Sequence, residues 1–570
     1  MERWFVAMKK ADFNGIAGKY HISPITARLL RNRDVVSDSE LDLYLNGTIA
    51  DLNDGMLMQD MDKAVEILQE KIAGKLPIRV IGDYDIDGVN ATYILQEGLT
   101  RLGGVVDTDI PDRVKDGYGL NKMLIDRAID DGVDTVITCD NGIAASEEIA
   151  YGKEQGLTII VTDHHEVPFL EIGEEKEYLI PRADAVVDPK RPDCGYPFKG
   201  LCGAAVAYKL VEALFEVMQQ DVEDIDYLME NVAVATIGDV MDLTGENRIF
   251  VKQGLEMLKR TSNEGMRALM ECTKVQTERL SAYHIGYIIG PCINAGGRLD
   301  TAKRALELLN AQTRREAVVL AEDLKALNDS RKEMTEKGVE QAVEQIESTT
   351  LKDDRVLVIY LPDCHESIAG IIAGRIRERY YRPTFVLTQG EEGVKGSGRS
   401  IDSYDMFEEL CKCRALLTKF GGHKLAAGLS LEEGNIVRLR DTLNELANLD
   451  EKDLQPKVSI DMQLPLKHVT EELVEEIQIL EPFGKGNSRP LFAEKNLQVI
   501  APRIIGKNQN VLKFQLRDKE GYQMEAIHFG DVKACMEEMR KKERMSFTFQ
   551  PSINEYMGKR TLQLTVVNYQ

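Results

Sequence analysis

Three aspartates stand at alternate positions directly after an apolar segment in the first hundred residues. The segment is IRVIG (78–82), and the acids are Asp83, Asp85 and Asp87. Gly88 follows them and permits a tight turn into the next element. Carboxylates this close repel one another unless a cation neutralises them. Taken alone, the triplet is explained about as well by a solvated acidic turn or a helix N-cap as by a metal site.

The pattern recurs after two further apolar segments, DTVITC (134–139) and LTIIVT (157–162). The residues that follow these segments are Asp140, Asp163, His164 and His165. Such short, β-branched and wholly apolar segments are typical of strands buried on both faces of a parallel sheet. Because ligands of open α/β sheets bind at the carboxyl ends of the strands, we expect these acids and histidines to converge. Three unrelated acidic turns would be a coincidence, so the pattern favours a metal site.

A further candidate ligand, Asp239, lies far along the chain after the apolar segment VAVATI (232–237). That segment would place Asp239 at the end of an element, facing the same site. By itself Asp239 is as compatible with a helix cap as with a metal ligand, and the nearby Asp242 is easily confused with it.

Several carboxylates with one or two imidazoles suit Mn²⁺ or Mg²⁺ better than zinc, which prefers cysteine and histidine. The set is large enough for two ions ~3.5–4 Å apart, bridged by one carboxylate. Such a pair supports in-line attack of water on phosphorus. The sequence contains no Walker A segment, Ser-His-Asp pattern or G-x-G-x-x-G loop that would favour a different chemistry.

The elements that must position these residues divide the chain into regions of different pattern. We predict short helices in residues 1–75 and an α/β domain in 76–300, with a fourth strand in DAVVD (184–188). One long helix or two joined helices follow in 301–347, then a second α/β domain in 348–450. Residues 455–570 are strand-rich and resemble an OB-fold barrel. The fold class is therefore α/β with a carboxyl-terminal β-barrel.

Composition limits the class of protein further. No run of ~18 apolar residues and no apolar leader occurs, so we expect a cytoplasmic protein without a membrane span or secretory signal. The nine scattered cysteines agree with reduced thiols. The formal charge of −24 disfavours a nucleic-acid ligand, but residues 455–570 carry 17 basic and 15 acidic side chains. A basic groove can coexist with such a total.

An ordered series of motifs resembles the DHH phosphoesterases, and within them the RecJ-type single-strand exonucleases, over essentially the whole chain. The segments that carry the resemblance are IRVIGDYDIDG, DTVITCDNGIA, VTDHHEVP, GDVMDLTGENR, GPCINAGGRLDTA, HESIAGIIAGRIRERYYRPTFVL, GSGRSI, FGGHKLAAGLSL and EPFGKGNSRPLF. The resemblance implies a DHH domain, a DHHA1 substrate-binding domain after the long helix, and a carboxyl-terminal OB-fold.

Roles for individual residues follow from the resemblance. The implied ligands of two Mn²⁺ or Mg²⁺ ions are Asp85, Asp87, Asp140, His164 and Asp239, with Asp140 bridging. The implied supporting or phosphate-contacting groups are Asp83, Asp163 and His165. The implied nucleic-acid-binding residues are Arg298, Arg375, Ser397, Arg399 and His423. Arginine side chains more often form surface ion pairs than bind a ligand. The glycine-rich segments GGRLD, GSGRS and FGGHK nevertheless favour contact between these residues and a phosphate.

The resemblance implies a 5′→3′ exonuclease that releases 5′-mononucleotides from single-stranded DNA in repair and recombination, with a helicase and a single-strand-binding protein as candidate partners. Phe514, Phe547, Phe549 and Tyr556 are candidate base-stacking residues, although their alternation favours barrel core for most of them. Two other functions are open: an oligonucleotide or cyclic-dinucleotide phosphodiesterase, and an inactive nuclease-fold scaffold, which the complete ligand set disfavours.

Overall fold

The computed structural model describes residues 2–112, 119–173, 175–390, 393–506, 508–556 and 558–570, with the backbone alone at Ile172 and Tyr556. Its first elements are strand β1 (Arg3–Val6) and helices α1 (Phe13–Tyr20), α2 (Pro24–Asn32), α3 (Asp38–Asn46) and α4 (Met61–Ala73). Ser23 and Ser37 cap α2 and α3 with their side chains, which explains where these short helices begin. None of the described helices combines the length and apolarity that a membrane crossing requires.

A five-stranded parallel sheet follows, in the order β3-β2-β4-β5-β8. Its elements are β2 (Pro77–Ile81), α5 (Ile86–Arg101), β3 (Val105–Asp109), α6 (Lys122–Asp130), β4 (Thr135–Cys139), α7 (Ser146–Glu154), β5 (Thr158–Thr162), a hairpin of β6 (Phe169–Ile172) and β7 (Glu175–Tyr178), and β8 (Ala185–Val187). Alternate strand residues enter two cores, one with α4 and α5 and one with α6 and α7. The chain order reverses between β2 and β4, and a ligand crevice opens at such a reversal.

A helical half completes this parallel-sheet domain. Its helices are α8 (Gly203–Val217), α9 (Met229–Gly238), α10 (Gly245–Leu258), α11 (Glu264–Cys272), α12 (Ala282–His284) and α13 (Gly290–Leu299), with a π-helical turn over Ile285–Ile289. The connection between the domains, predicted as one long helix or two joined helices, consists of two helices, α14 (Lys303–Asn310) and α15 (Arg314–Ser348). With 35 residues, α15 spans roughly 50 Å.

A mixed five-stranded sheet follows, in the order β12-β13-β11-β10-β9. Its elements are β9 (Leu357–Tyr360), α16 (Glu366–Tyr380), β10 (Thr384–Gly390), β11 (Gly393–Arg399), α17 (Met406–Lys412), β12 (Lys419–His423), β13 (Ala426–Leu431) and α18 (Ile436–Leu446). Only the β9–β10 pair is parallel among the described strands of this sheet.

A closed barrel forms the last domain. Its elements are β14 (Lys457–Ile460), β15 (Met462–Gln463), α19 (Glu471–Ile477), β16 (Phe492–Ile505), β17 (Val511–Arg517), β18 (Gln523–Phe529), α20 (Val532–Lys541), β19 (Arg544–Tyr556) and β20 (Lys559–Tyr569). Strands β16, β17, β18, β20 and β19 pair in that order, and β19 pairs back to β16. This closure, with a parallel β18–β20 pair, confirms the predicted OB-fold.

The aromatic residues of the barrel are mainly core, as their alternation predicts. Phe514, Phe547 and Phe549 are buried, and the rings of Phe514 and Phe547 lie 5.9 Å apart. The side chain of Tyr556, the fourth candidate, lies outside the described residues.

The amino-terminal helices share one hydrophobic core with the barrel, which the sequence pattern did not predict. Leu29, Leu30 and Leu41 pack in the same cluster as barrel residues. Strand β1 pairs in parallel with β14, just before the barrel. Arg248 of α10 donates hydrogen bonds to the carbonyls of Tyr44 and Leu480. The two ends of the chain are therefore held together and against the parallel-sheet domain.

One buried acid makes the stability of the parallel-sheet domain depend on pH. Burial raises the pKa of Glu230, in the first turn of α9, to about 7, although the Thr261 hydroxyl donates a hydrogen bond to it. Between its ordinary value of 4.5 and about 7, the folded chain retains a proton that the unfolded chain releases. This group therefore lowers the free energy of unfolding as pH rises through that window.

Glu230→Gln should remove this loss, because glutamine keeps an acceptor for Thr261 and has no charge. We expect the variant to gain about 1–3 kcal/mol over the parent at about pH 8 and much less at about pH 5, by urea unfolding. An equal gain at both pH values would contradict the assignment.

Candidate metal centre

The acidic triplet occupies the turn from β2 into α5. Asp85 is the N-cap of α5, and its Oδ1 accepts hydrogen bonds from the backbone N–H groups of Asp87 (2.9 Å) and Gly88 (3.1 Å). A Cβ at Gly88 would lie 2.4–2.6 Å from the backbone of Asp83, so the turn requires glycine. The capped turn fixes where the three carboxylates point.

Asp87 is fully buried and held by the N-terminus of α8. Its Oδ2 accepts from the N–H of Gly203 (2.7 Å) and its Oδ1 from the N–H of Ala204 (2.8 Å). A helix N-terminus favours negative charge, so α8 stabilises and orients this carboxylate.

Asp140 follows β4 with a positive φ of 60°, a conformation that few non-glycine residues adopt. Asn141 fixes this turn, because its Nδ2 donates to the carbonyls of Ile81 on β2 and Cys139 on β4. A Cβ at Gly203 would lie 2.7 Å from the Cβ of Asp140, so α8 packs directly against this residue.

The two histidines follow β5, and Asp163 orients them. Its Oδ1 accepts from the N–H of His164 (2.7 Å) and lies 2.8 Å from Nδ1 of His165, while its Oδ2 accepts from the N–H of Ile143. The Nε2 of His164 lies 3.0 Å from Asp140 Oδ1 and 3.5 Å from Asp87 Oδ2. His164 thus faces the carboxylates, and His165 lies beside them with its ring held by Asp163.

Asp239 arrives as the C-cap residue of α9, where its Oδ2 lies 3.9 Å from His164 Nε2. The neighbouring Asp242 points elsewhere, with its carboxylate 3.5 Å from Lys485 Nζ. The structure therefore distinguishes the two acids that the sequence left easily confused.

These side chains form overlapping groups in which one ligand atom from each member lies within 4.8 Å of the others. The groups are Asp83, Asp85 and Asp140; Asp87, His164 and Asp239; and Asp140, His164 and His165. Asp140 belongs to two of them, as a bridging ligand would. Asp83, predicted as a supporting residue, offers an oxygen to the first group.

The protonation of the cluster reflects crowded negative charge. Burial, and then the charges of Asp87 and Asp85, raise the pKa of Asp140 well above its ordinary value. Burial and the charge of Asp87 raise the pKa of Asp239 to about 8. Burial lowers the pKa of His164, which keeps the ring neutral and able to bind a metal. Although burial opposes its charge, the hydrogen bond with Asp163 raises the pKa of His165 to about 9.

Asp188, which the sequence reasoning did not single out, directly follows the neighbouring strand β8. It is fully buried, and burial together with the charge of Asp163 raises its pKa to about 8. The sequence did carry a signal for it, because Asp188 follows the apolar segment AVV (185–187) just as Asp140 follows DTVITC. Asn294 of α13 was also missed; its Oδ1 accepts from the N–H of Ile86 at the start of α5.

Four of the predicted nucleic-acid-binding residues lie around α16 and the mixed sheet. Arg298, at the end of α13, donates a hydrogen bond to the carbonyl of Ser367 on α16 (3.0 Å). Arg399 Nη1 donates to Ser397 Oγ (3.2 Å), and a Cβ at Gly370 of α16 would lie within 3 Å of both side chains. Arg399 and His423 both pair with Ala426 in register, which places them on one face roughly 10 Å apart.

Arg375 lies apart from that group. It is exposed on α16 and lines a cavity of about 270 Å³ between α15 and α16. Arg331 lines the same cavity, and burial and the charge of Arg375 lower its pKa. The sequence reasoning missed Arg331 because it lies on the long helix, outside every motif.

Family models match three parts of the chain: residues 77–236 match the DHH family N-terminal domain, 353–449 the DHHA1 domain and 460–568 the RecJ OB domain. The parallel sheet with its strand-end acids, followed by the mixed sheet, defines a DHH–DHHA1 phosphoesterase.

Relatives narrow this class. The chain is 34% identical over 569 residues to the single-stranded-DNA-specific exonuclease RecJ of Bacillus subtilis, covering 99% of this chain and 70% of the relative. It is 32% identical to the RecJ of Escherichia coli, covering 96% of each chain. The chain belongs to the RecJ family of single-stranded-DNA-specific exonucleases.

A solved structure agrees. The crystal structure of RecJ from Thermus thermophilus in complex with Mn²⁺ matches with a TM-score of 0.83 and 28% identity, covering 100% of this chain and 79% of that chain. The Mg²⁺ complex of the same protein matches with a TM-score of 0.79.

The residues present here fit divalent cations of this kind. Carboxylate oxygens dominate the set, and four of its members, Asp83, Asp87, Asp140 and His164, are buried. Uncompensated negative charge in such a setting is costly, and a hard cation removes that cost. The predicted cofactors, two Mn²⁺ or Mg²⁺ ions, agree with this donor chemistry and with the metals in the matching structures.

Cation binding should stabilise the parallel-sheet domain, because the folded chain alone presents the ligands together. At a Mn²⁺ concentration about 100 times the dissociation constant, we expect a gain of ~2.7 kcal/mol and a rise in Tm of roughly 5–10 °C over the EDTA-treated protein. Differential scanning calorimetry measures this shift.

A matched pair of variants locates the effect. Asp239→Asn should reduce the Mn²⁺-dependent rise in Tm, whereas Asp242→Asn, which changes the neighbouring acid that faces Lys485, should preserve it. Equal losses in the two variants would contradict the ligand assignment.

Proposed function

We propose that this chain hydrolyses single-stranded DNA from its 5′ end and releases 5′-mononucleotides, with Asp83, Asp85, Asp87, Asp140, His164 and Asp239 as the cation ligands. The observation that carries the proposal is the set of three overlapping ligand groups, of which two share Asp140 and two share His164. Arg298 joins the parallel-sheet domain to the mixed-sheet domain by its hydrogen bond to the Ser367 carbonyl.

When bound, the cations supply Lewis-acid stabilisation to the phosphoryl oxygens. The protein holds their ligands rigidly: Asp85 by the first turn of α5, Asp87 by the N-terminus of α8, and His164 by the Asp163 carboxylate, which accepts a hydrogen bond from the His164 backbone N–H. His165, with 44% of its side chain exposed, faces the solvent side of the cluster. It would contact the scissile phosphate while Asp163 orients its ring.

The mixed-sheet domain would bind the terminal phosphate and the strand behind it. Arg399 and Ser397 form one polar group against Gly370, where the lack of a side chain leaves room for both of their polar ends. Arg298 would add a guanidinium from the parallel-sheet side, and His423 would contact the same strand from β12. Arg375 and Arg331, which line one cavity, would bind a phosphate further along α15.

We propose functional domains with the boundaries 76–300, 348–450 and 455–570, joined by the connecting helices of 301–347 and preceded by the helical region 1–75. A helicase and a single-strand-binding protein are proposed partners, because both expose or cover the substrate strand. A cytoplasmic location is proposed because the relatives of this chain are named as exonucleases specific for DNA.

Strands labelled at either end test the polarity. With Mn²⁺, a 5′-label should appear as a mononucleotide at the first time point, while a 3′-labelled strand should shorten progressively. Early release of the 3′-label would overturn the polarity. Faster turnover of a dinucleotide than of a long strand would favour the oligonucleotide phosphodiesterase instead.

A further inference from the structure

The residue between two proposed ligands, Ile86, is held through both of its backbone polar groups. It separates Asp85 from Asp87 at the start of α5 and is buried. Its N–H donates to Asn294 Oδ1 of α13 (2.9 Å), and its carbonyl accepts from Asn90 Nδ2, one turn further along α5 (2.7 Å). Two asparagines therefore fix the peptide groups that join Ile86 to the ligand on either side of it.

The side chain of Ile86 lies against α9, the helix that carries Asp239 as its C-cap residue. A Cβ at Gly238 would lie 2.5 Å from Ile86 Cγ2 and 2.7 Å from its Cδ1. A Cβ at Gly290 of α13 would lie 3.1 Å from the same Cδ1. Because the end of α9 is packed this closely on the acidic turn, a shift of α9 along α5 would move Asp239 relative to that turn.

A buried pair of asparagines links α9 to α5. Asn231 lies in α9, roughly two turns before Asp239, and its Nδ2 donates to Asn90 Oδ1 (2.9 Å). The two residues are 1% and 0% exposed. A continuous chain of hydrogen bonds thus runs from α9 through Asn231 and Asn90 to the carbonyl of Ile86.

Stability alone does not account for this pair. Asn231 Oδ1 has no hydrogen-bond partner among the described residues, and an unmade hydrogen bond at a buried polar atom opposes folding. Apolar side chains at both positions would avoid that cost, but two apolar surfaces can slide past each other. A buried asparagine instead favours the one register in which it meets its partner.

We propose that three asparagines are positioning residues that fix the separation of the two cation positions: Asn90, Asn231 and Asn294. The acidic turn supplies Asp83 and Asp85 to one ligand group, and α9 supplies Asp239 to another. The asparagines hold the turn and α9 in one register, so both groups keep the spacing that binding of two cations needs. The inference rests on the proposed function, because it assigns the residues that position the proposed ligands.

Metal binding without substrate tests the proposal. Calorimetric titration of Mn²⁺ into the metal-free full chain measures the Kd of each ion. Asn231→Ala and Asn90→Ala should each raise the Kd of at least one Mn²⁺ by about 10–100-fold, the usual cost of losing a group that supports a metal ligand. The double variant should bind no more weakly than Asn90→Ala, because the two side chains act through one chain of hydrogen bonds.

Two further variants separate positioning from folding. Asn294→Ala removes a partly exposed side chain and the acceptor of the Ile86 N–H, and it should raise the Kd even if the buried variants do not fold. Asn444→Ala is the control in the mixed-sheet domain. It removes hydrogen bonds to the backbone of Arg355 and Val356, and it should lower Tm without changing the Kd for Mn²⁺.

The outcomes distinguish this inference from the proposed function. If the parent binds two Mn²⁺ ions and Asn231→Ala and Asn294→Ala bind them equally well, the inference fails and the proposed function stands. Additive losses in the double variant, or an equal loss in Asn444→Ala, would also overturn the inference. If the variants behave as expected but the parent releases no nucleotides from single-stranded DNA, the proposed function fails while the inference stands.

Discussion

Asp140→Asn should lower kcat for single-stranded DNA by on the order of 10³-fold in saturating Mn²⁺. Asp140 contributes an oxygen to two ligand groups, so its loss affects both proposed cation positions. Metal stabilisation of a phosphoryl transition state is worth several kcal/mol, and ~4 kcal/mol corresponds to about a 10³-fold change in rate. Release of acid-soluble nucleotides from a labelled strand measures the effect.

The fold of this variant can be checked independently. The carboxylate of Asp140 is buried among the charges of Asp87, Asp85 and Asp83, so replacing it with an amide should relieve repulsion in the metal-free protein. We expect the EDTA-treated variant to unfold at the same temperature as the parent or higher. Undiminished hydrolysis with Mn²⁺ would show that the metal centre is assigned incorrectly.

Gly297→Ala should strongly reduce activity although it replaces none of the proposed metal ligands. A Cβ at Gly297 on α13 would lie 2.1 Å from the carbonyl oxygen of Tyr84, within the turn that carries Asp83 and Asp85. Backbone cannot rotate away as a side chain can, so α13 or the turn must shift. A displacement of about 1 Å at a catalytic site can cost on the order of 10²-fold in rate. We expect a loss of this size in kcat/KM, with weaker Mn²⁺ binding by calorimetric titration.

Gly18→Ala is the control for this substitution. Gly18 lies within α1, and among the described residues no atom outside that helix's own nearby backbone lies within 4 Å of a Cβ at that position. Alanine should therefore leave activity unchanged and stabilise the helix by about 0.5–1 kcal/mol. Normal activity of Gly297→Ala would mean that the turn tolerates movement, and the close packing of α13 would then have no catalytic role.

The sequence identified acids whose positions follow from local rules. Asp85, Asp87, Asp140 and His164 each come directly after a strand or its turn, and parallel strands deliver such residues to one edge. Side-chain alternation likewise predicted that the barrel phenylalanines are core. These predictions needed only the period of the strand and the direction of the sheet.

Contacts between segments that are distant in the chain could not be predicted from the sequence pattern. The shared core of α2, α3 and the barrel joins residues more than 400 positions apart, and no local period encodes such a pairing. Arg331 gained a candidate role only because α15 packs against α16 and brings it to Arg375.

By itself, the sequence determined the chemistry of the metal centre, because strand-end acids are specified locally and the order of the motifs is specific to one family. The tertiary structure decided how those acids are grouped: Asp83 joins Asp85 and Asp140, and Asp239 reaches His164 from the end of α9. It also brings Asp188 near Asp163, whose charge raises the pKa of Asp188. The reason is physical. A residue's place along a strand is set by its neighbours in the chain, whereas its distance from another ligand is set by how whole helices pack.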